Sequence, residues 1–355
     1  MNSLTGSVLV SLCFLPSAWA LPQDFTDLSQ LQASLFGGGL RVDGRDLTAE
    51  FMASAVWRGD AELPGSWRDA YEVNSNEVRH ITAAPYLFGH VPIGVEAVYA
   101  RRQLDRISIY YLESGTFYGY QPGLRESPEG KKLLQDKQRM FRKVFSDLEK
   151  SLDETLKTLT KDRGESLIEG KTPVLKQRFK QYEREGLAVQ LRAKKDFYVR
   201  VDLCRADAVT PSYLAAGLEN LKKRDRAAAL KLNVVKAESG DVAMRGVPML
   251  YQGGRAYCGI TTYLMAAKYL GVQMDPATMA SVSGFRYGLG GKKMIEAYTA
   301  VAKEGRLRLN RSTKLDVDRV KASIEKGIPV VVWRRFDSNR NRLHVASANP
   351  RRGFY

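Results

Sequence analysis

A long amphipathic run at residues 129–161 constrains the fold of this chain more than any other feature. Leucines, phenylalanines and a methionine recur in it at steps of three and four residues, and charged residues fill the remaining positions. This pattern is typical of a helix with one buried face. Ser127-Pro128 supplies a helix cap followed by proline at the first helical position. We expect this helix to pack on the protein's own sheet; a regulatory or partner-binding helix is the alternative.

Apolar segments on both sides of the long helix predict the sheet. Residues 95–100 and 107–112 are joined by a polar turn, which indicates a β-hairpin. Residues 187–192 and 197–205 indicate a second hairpin. A hairpin, a long helix and another hairpin indicate one α+β unit spanning residues 77–206.

Further helices are predicted at residues 174–185 and 211–236, and Ser239-Gly240 breaks the second of them. The predicted fold class is α+β. We expect four regions in the order signal peptide, N-terminal β-rich region, ancillary region with helices and a β-hairpin, and last domain: residues 1–20, 21–125, 126–237 and 238–355.

The first twenty residues have the features of a signal peptide. Residues 8–15 are a short apolar run, and Ala18-Trp19-Ala20 fits the small-x-small cleavage rule. The run is too short to span a bilayer. We therefore expect cleavage after Ala20 and export to the periplasm or the extracellular space.

Charge and histidine content restrict the partners. With 55 Lys and Arg against 39 Asp and Glu, the net charge is +16, which suits an anionic cell wall or membrane surface. Solvated basic helix faces are the simpler explanation. The sequence has no nucleic-acid-binding signature, so no specific nucleic acid partner is expected.

His80 and His90 have no familiar zinc spacing and are expected to be structural.

The residues best suited to catalysis lie at and just before Cys258. The glycine-rich segment before it cannot be regular helix, whereas residues 258–270 have a helical pattern that stops at Gly271. The thiol therefore stands at a helix N-terminus, where the dipole and unpaired N–H groups favour a thiolate. Gln252 lies six residues earlier, and its amide could join the Cys258 N–H in binding an oxyanion.

His344 is the candidate base for this nucleophile. A helix is predicted at residues 316–326, followed by a buried strand at 327–333 and a polar turn. His344 would lie on the next strand, at residues 343–347, paired with residues 330–333. A histidine there could take a proton from the thiol and return it to a leaving group.

Together, Gln-x5-Cys-Gly at a helix start, Gly-Ile-Pro-Val-Val-Val and a following histidine resemble the papain-like cysteine peptidase superfamily. The 86-residue step from Cys258 to His344 is nearer the bacteriocin-processing (double-glycine leader) peptidase branch than papain itself. The resemblance covers about residues 245–355. It implies a papain-like fold and a bacterial cysteine peptidase for peptide or protein substrates. Cys258 would be the nucleophile, His344 the base and Gln252 the oxyanion residue, with no metal or cofactor.

The third catalytic residue departs from the family pattern. In that family an Asp or Asn orients the histidine, usually on the following strand. Asn349 is the one amide after His344, and Asp337 and Asn339 lie in the turn before it. Two alternatives stay open: Asn349 serves, or the peptidase domain is incomplete at its C-terminus.

Two other functions are compatible with the same residues. One is an amidase or transglutaminase that acts on cell-wall peptides. The other is an inactive peptidase-like binding module, in which Cys204 and Cys258 could form a disulfide. If Cys258 is instead catalytic, Cys204 is an unrelated thiol in a strand of alternating pattern.

Overall fold

The computed structural model describes most of the chain between residues 45 and 332. The described residues are 45–73, 76–81, 86–100, 102–119, 127–209, 212–215, 218, 220–250, 257–286 and 292–332. The predicted signal peptide lies outside them.

The protein is a mixed α+β structure with a large antiparallel sheet and a set of helices that follow it. The strands are β1 (Trp67–Val73), β2 (Asn76–Ile81), β3 (Gly94–Ala100), β4 (Gln103–Glu113), β5 (Glu165–Glu169), β6 (Gln177–Arg184), β7 (Leu187–Lys194), β8 (Tyr198–Arg205), β9 (Val234–Lys236) and β10 (Val242–Met244). The helices are α1 (Thr48–Met52), α2 (Ser54–Arg58), α3 (Ser114–Tyr118), α4 (Pro128–Thr160), α5 (Lys223–Lys231), α6 (Cys258–Tyr269), α7 (Pro276–Ser283), α8 (Lys292–Glu304) and α9 (Val317–Ile324).

The large sheet has eight strands in the order β1-β2-β3-β4-β8-β7-β6-β5. Both predicted hairpins are confirmed, because β3 pairs with β4 and β7 pairs with β8, each antiparallel. Strands β4 and β8 also pair with each other, which brings the two hairpins side by side. The sheet therefore joins strands from both sides of residue 125, the division between the second and third predicted regions.

Helix α4 matches the predicted long helix, and the Ser127 hydroxyl caps it by accepting from the Gly130 N–H at 3.0 Å. Its buried leucines and phenylalanines share one hydrophobic cluster with alternate residues of the central strands, among them Val199 and Val201. The expectation that the stripe packs on the protein's own sheet is confirmed. We call β1–β8 with α1–α4 the sheet unit.

The opposite face of the sheet carries buried charges. In β8, Arg200 and Asp202 alternate with the valines, so they point away from α4. Arg200 contacts Asp202 at 3.1 Å and Asp275 at 2.6 Å. Arg192, on β7, contacts Asp202 at 2.9 Å and Glu169 at 2.6 Å. Each charge therefore has a partner of opposite sign, as burial requires.

Helices α6, α7 and α8 form a second hydrophobic cluster, and we call them the helical unit. This unit covers the charged face of the sheet. The Tyr198 hydroxyl on β8 lies 3.4 Å from the hydroxyl of Thr278 on α7. The Glu304 carboxylate at the end of α8 accepts from the backbone N–H groups of Lys171 and Thr172, both at 3.1 Å.

Two predicted helices need correction. Residues 174–185 form a 3₁₀ turn, Pro173–Leu175, followed by strand β6 rather than a helix. Burial alternates along the first half of β6, and this period of two belongs to a strand. The helix predicted at 211–236 is confirmed only over Lys223–Lys231, because Val234–Lys236 pairs with Val242–Met244 in a short hairpin.

The segment after α9 also differs from its prediction. Helix α9 is confirmed, with the Asp316 carboxylate capping it at the Arg319 N–H. The buried strand predicted at 327–333 is wrong over residues 328–332, which have no strand pairing among the described residues. Ile328 and Val332 are each 44% exposed. A strand needs a ladder partner, and the expected partner, 343–347, lies outside the described residues.

Candidate active site

Cys258 is the first residue of α6, as predicted. The helix forms because Ile260, Leu264 and Ala267 lie on one buried stripe. It stops before Gly271, whose φ of +86° places it in the left-handed region that favours glycine. The helix is thus anchored by its apolar face, while the Cys258 thiol at its start is free and exposed.

Tyr257, the residue directly before Cys258, is held in place by contacts on several sides. It is 1% exposed, and its carbonyl accepts from the Thr261 N–H at 2.7 Å in the first helical hydrogen bond. Its ring makes an edge contact with Phe285 at 5.9 Å between centroids. Its hydroxyl accepts from the Gly115 N–H at 3.1 Å, so a residue of the sheet unit contacts the start of α6.

Tyr298, on α8, fixes the first turn of α6 from another side. Its hydroxyl donates to the Gly259 carbonyl at 3.2 Å, and its ring stacks on Tyr263 at 4.0 Å between centroids. The Tyr263 hydroxyl in turn donates to the Tyr298 carbonyl at 2.6 Å. Burial raises the pKa of Tyr298 above its usual value, and the charges of Tyr263 and of a Cys258 thiolate raise it further.

The first turn of α6 differs from the starts of three other helices. Ser127, Asp275 and Asp316 each accept a first-turn N–H of their helix through a side-chain oxygen. The side chain of Tyr257, the residue at the same position of α6, makes no such bond. Helix N-termini whose N–H groups are not capped can bind anionic oxygens.

Cys204 differs from Cys258 in its exposure and in its place in the fold. It lies within β8, opposite Arg106 and Ala188 of the two neighbouring strands. Burial raises the pKa of its thiol to about 12, and the nearby Asp202 charge acts in the same direction. Both cysteines are free, so the disulfide considered for the binding-module alternative is wrong. Cys204 is fixed inside the sheet, whereas Cys258 opens a helix of the other unit.

Cys258 is the one predicted catalytic residue that the structure describes. Gln252, His344 and Asn349 lie outside the described residues, as do Asp337 and Asn339. The structure adds two residues that the sequence analysis missed, Tyr257 and Tyr298. The sequence feature that could have identified Tyr257 is its position directly before the cysteine. No sequence feature marks Tyr298, because tyrosines are common on helices.

No cluster of three or more His, Cys, Asp or Glu within the described part of the chain could hold a metal ion. The His90 Nε2 lies 2.9 Å from the Ser151 hydroxyl on α4, and its ring packs edge-on against Tyr111. Burial lowers the pKa of His90, although the Asp46 charge opposes this. His80 lies on β2.

No protein-family model, curated protein or solved structure matches this chain at a significant level. Of the helices that the structure describes, none combines the length and the hydropathy that crossing a bilayer requires.

Proposed function

We propose that this protein is an exported cysteine-type hydrolase that cleaves peptide bonds, with Cys258 as its nucleophile. The observation that carries the proposal is a free, exposed thiol at the start of a helix whose opposite face is buried. Catalytic thiols need this combination of access and rigid support, because the thiolate must reach a substrate carbonyl in one fixed geometry.

The start of α6 adds support. A tetrahedral intermediate carries an oxyanion that needs preorganised donors. The Cys258 N–H lies at the N-terminus of α6, where the Tyr257 side chain makes no capping bond. In the proposed mechanism the Cys258 N–H and the Gln252 amide bind this oxyanion.

The proposed reaction has two halves. The Cys258 sulfur attacks the carbonyl carbon, and His344 takes the thiol proton and delivers it to the departing amine. The C–N bond breaks and a thioester remains on Cys258. Water then attacks this acyl-enzyme, His344 takes the proton of the water, and the thiol is restored as the acid product leaves. Asn349 is the candidate for orienting His344.

The partner of this site is a peptide or protein substrate. The net charge of +16 suits work beside an anionic cell wall or membrane surface. An amidase or transglutaminase of wall peptides would use the same nucleophile, so the choice of substrate decides between these activities.

The experiment compares the wild-type protein with Cys258→Ser, Gln252→Ala and His344→Ala, and uses Cys204→Ser as the matched control. Each is assayed on a peptide library and on muropeptides. We expect Cys258→Ser and His344→Ala to lower kcat by at least about 10³-fold, and Gln252→Ala to lower it by about 10²-fold to 10³-fold. Cys204→Ser should keep full activity.

Full hydrolysis by Cys258→Ser would refute the mechanism. Turnover of muropeptides alone would support the wall amidase. A wild-type protein whose Cys258 is alkylated by iodoacetamide but which turns over no substrate would support the inactive binding module.

A further inference from the structure

We propose that the sheet unit positions the Cys258 thiol, and that it does so through the close contact between Tyr257 and Gly115. This inference rests on the proposed function, because it assigns the sheet unit a role in the geometry of the Cys258 site. The contact joins residues 142 positions apart in the chain.

Gly115 lies at the start of α3, directly after β4. Its N–H donates to the Tyr257 hydroxyl at 3.1 Å, and the Ser114 hydroxyl lies 3.4 Å from the same oxygen. Ser114 is fully buried, and its own N–H donates to the Phe197 carbonyl at 2.7 Å. The segment that contacts the Tyr257 hydroxyl is therefore itself fixed by a backbone hydrogen bond within the sheet unit.

The space at Gly115 is fitted to the tyrosine ring. A Cβ at this position would lie 2.4 Å from Cζ of Tyr257 and 2.7 Å from its hydroxyl oxygen, closer than real Cβ atoms come. Gly115 is not among the positive-φ glycines. The absence of a side chain thus serves the close approach of Tyr257 and not an unusual backbone conformation.

Tyr257 passes this constraint on to Cys258 through a single peptide group. The peptide bond between them is planar. It carries the Tyr257 carbonyl, which accepts from the Thr261 N–H at 2.7 Å, and the Cys258 N–H, which is the proposed oxyanion donor. A Tyr257 side chain held at Gly115 and against Phe285 therefore sets the direction of that donor. Tyr257 is a positioning residue; it does not itself take part in the reaction.

The experiment follows the alkylation rate of Cys258 by iodoacetamide between pH 5 and pH 9, with Cys204→Ser as the background. Tyr257→Phe removes the hydroxyl and keeps the ring, and Gly115→Ala pushes the ring away. Gly94→Ala is the matched control, since a Cβ there meets nothing within 4 Å and Gly94 is not among the positive-φ glycines. Leu152→Ala, in the α4 core, controls for lost stability.

We expect the pH profile of alkylation to move by at least about half a pH unit, or about threefold in rate at a fixed pH, in Tyr257→Phe and Gly115→Ala. Gly94→Ala and Leu152→Ala should keep the wild-type profile. If Gly115→Ala does not fold, Tyr257→Phe decides alone.

A wild-type profile in Tyr257→Phe would overturn the inference, and so would an equal shift in Leu152→Ala. Alkylation needs no substrate, so these results do not depend on hydrolysis. A shifted profile in a protein that hydrolyses nothing would overturn the proposed function and leave the positioning of the thiol intact.

Discussion

Asp275 joins the helical unit to the charged face of the sheet, and replacing it by asparagine tests how strongly that face holds the two units together. Its carboxylate contacts the Arg200 guanidinium at 2.6 Å and caps α7 by accepting from the Thr278 N–H at 2.8 Å. The side chains of Arg200 and Asp275 are 5% and 16% exposed. Asparagine is as good a helix cap as aspartate, so Asp275→Asn removes the charge and keeps the cap.

The expected loss in the free energy of unfolding depends on the ion pair that Arg200 keeps in the variant. Breaking a buried ion pair by removing one partner costs about 3–5 kcal/mol, because the other charge is left buried. Arg200 still contacts Asp202 at 3.1 Å, so we expect the lower end, about 3 kcal/mol. Asp275→Ala should cost about 1 kcal/mol more, since it also loses the cap.

Urea unfolding followed by circular dichroism measures these free energies. Asp316→Asn is the matched control, because Asp316 caps the exposed helix α9 through the Arg319 N–H, and it should change stability by less than about 0.5 kcal/mol. Equal effects of Asp275→Asn and Asp316→Asn would refute the argument that the Arg200–Asp275 pair is a buried contact on which stability depends.

The same pair predicts a dependence on pH. Burial alone would raise the pKa of Asp275, but the Arg200 charge and the hydrogen bonds from Arg200 and Thr278 outweigh it and hold the pKa well below its usual range. A carboxylate with a lowered pKa stabilises the fold above its unfolded pKa of about 4, and this contribution is lost as the pH falls toward its folded pKa. The difference between wild type and Asp275→Asn should therefore be constant from pH 7 to pH 5 and shrink below about pH 4. A difference that grows in acid would contradict this.

Three further predictions use the same unfolding measurement. Leu152→Ala, at a fully buried position of α4, should cost about 2–5 kcal/mol, whereas Leu133→Ala, 42% exposed on the same helix, should cost less than about 1 kcal/mol; equal costs would contradict the packing of α4 on the sheet. Glu304→Gln should cost about 1–2 kcal/mol, because the Glu304 carboxylate accepts from the N–H and the hydroxyl of Thr172, both at 3.1 Å; no change would mean that this contact contributes nothing. Tyr298→Phe should cost about 1 kcal/mol, since it loses a bond of 3.2 Å to the first turn of α6 and keeps its ring stack; a loss above about 3 kcal/mol would show that the ring itself had moved.

Local signals explain which helices could be predicted from the sequence. The pattern predicts the long helix at 129–161, and the helix is Pro128–Thr160. The prediction succeeds because the cap, the first-turn proline and the apolar period are all local to this part of the chain. The helix at Cys258 was equally clear, since its buried stripe and Gly271 mark both its course and its end. The sequence does not predict strand β6, because two of its alternating buried positions are glutamines, Gln177 and Gln181, and the segment therefore shows no apolar alternation.

The surroundings of the candidate nucleophile could not be predicted in the same way. A cysteine at a helix start is visible in the sequence, but the hydroxyl contact from Tyr257 to Gly115 spans 142 residues. Tyr298 likewise reaches Gly259 from another helix. Such contacts follow from how the two units pack, and no local pattern encodes that packing.

The charged face of the sheet shows the limit of what the alternating pattern of β7 and β8 indicates. Strands with apolar and charged residues in turn are typical of an antiparallel sheet with one face in water. Here the charged positions are also buried: Arg192, Arg200 and Asp202 are 7%, 4% and 3% exposed. The alternation separates the valines that face α4 from the charged residues, but it does not reveal that the charged face is covered as well. Charges of both signs on neighbouring strands can pair with each other, and the remaining positive charge of Arg200 is met by Asp275 from the helical unit. The helical unit that carries Cys258 is therefore fixed to the sheet by complementary charge here and by a close steric fit at Gly115.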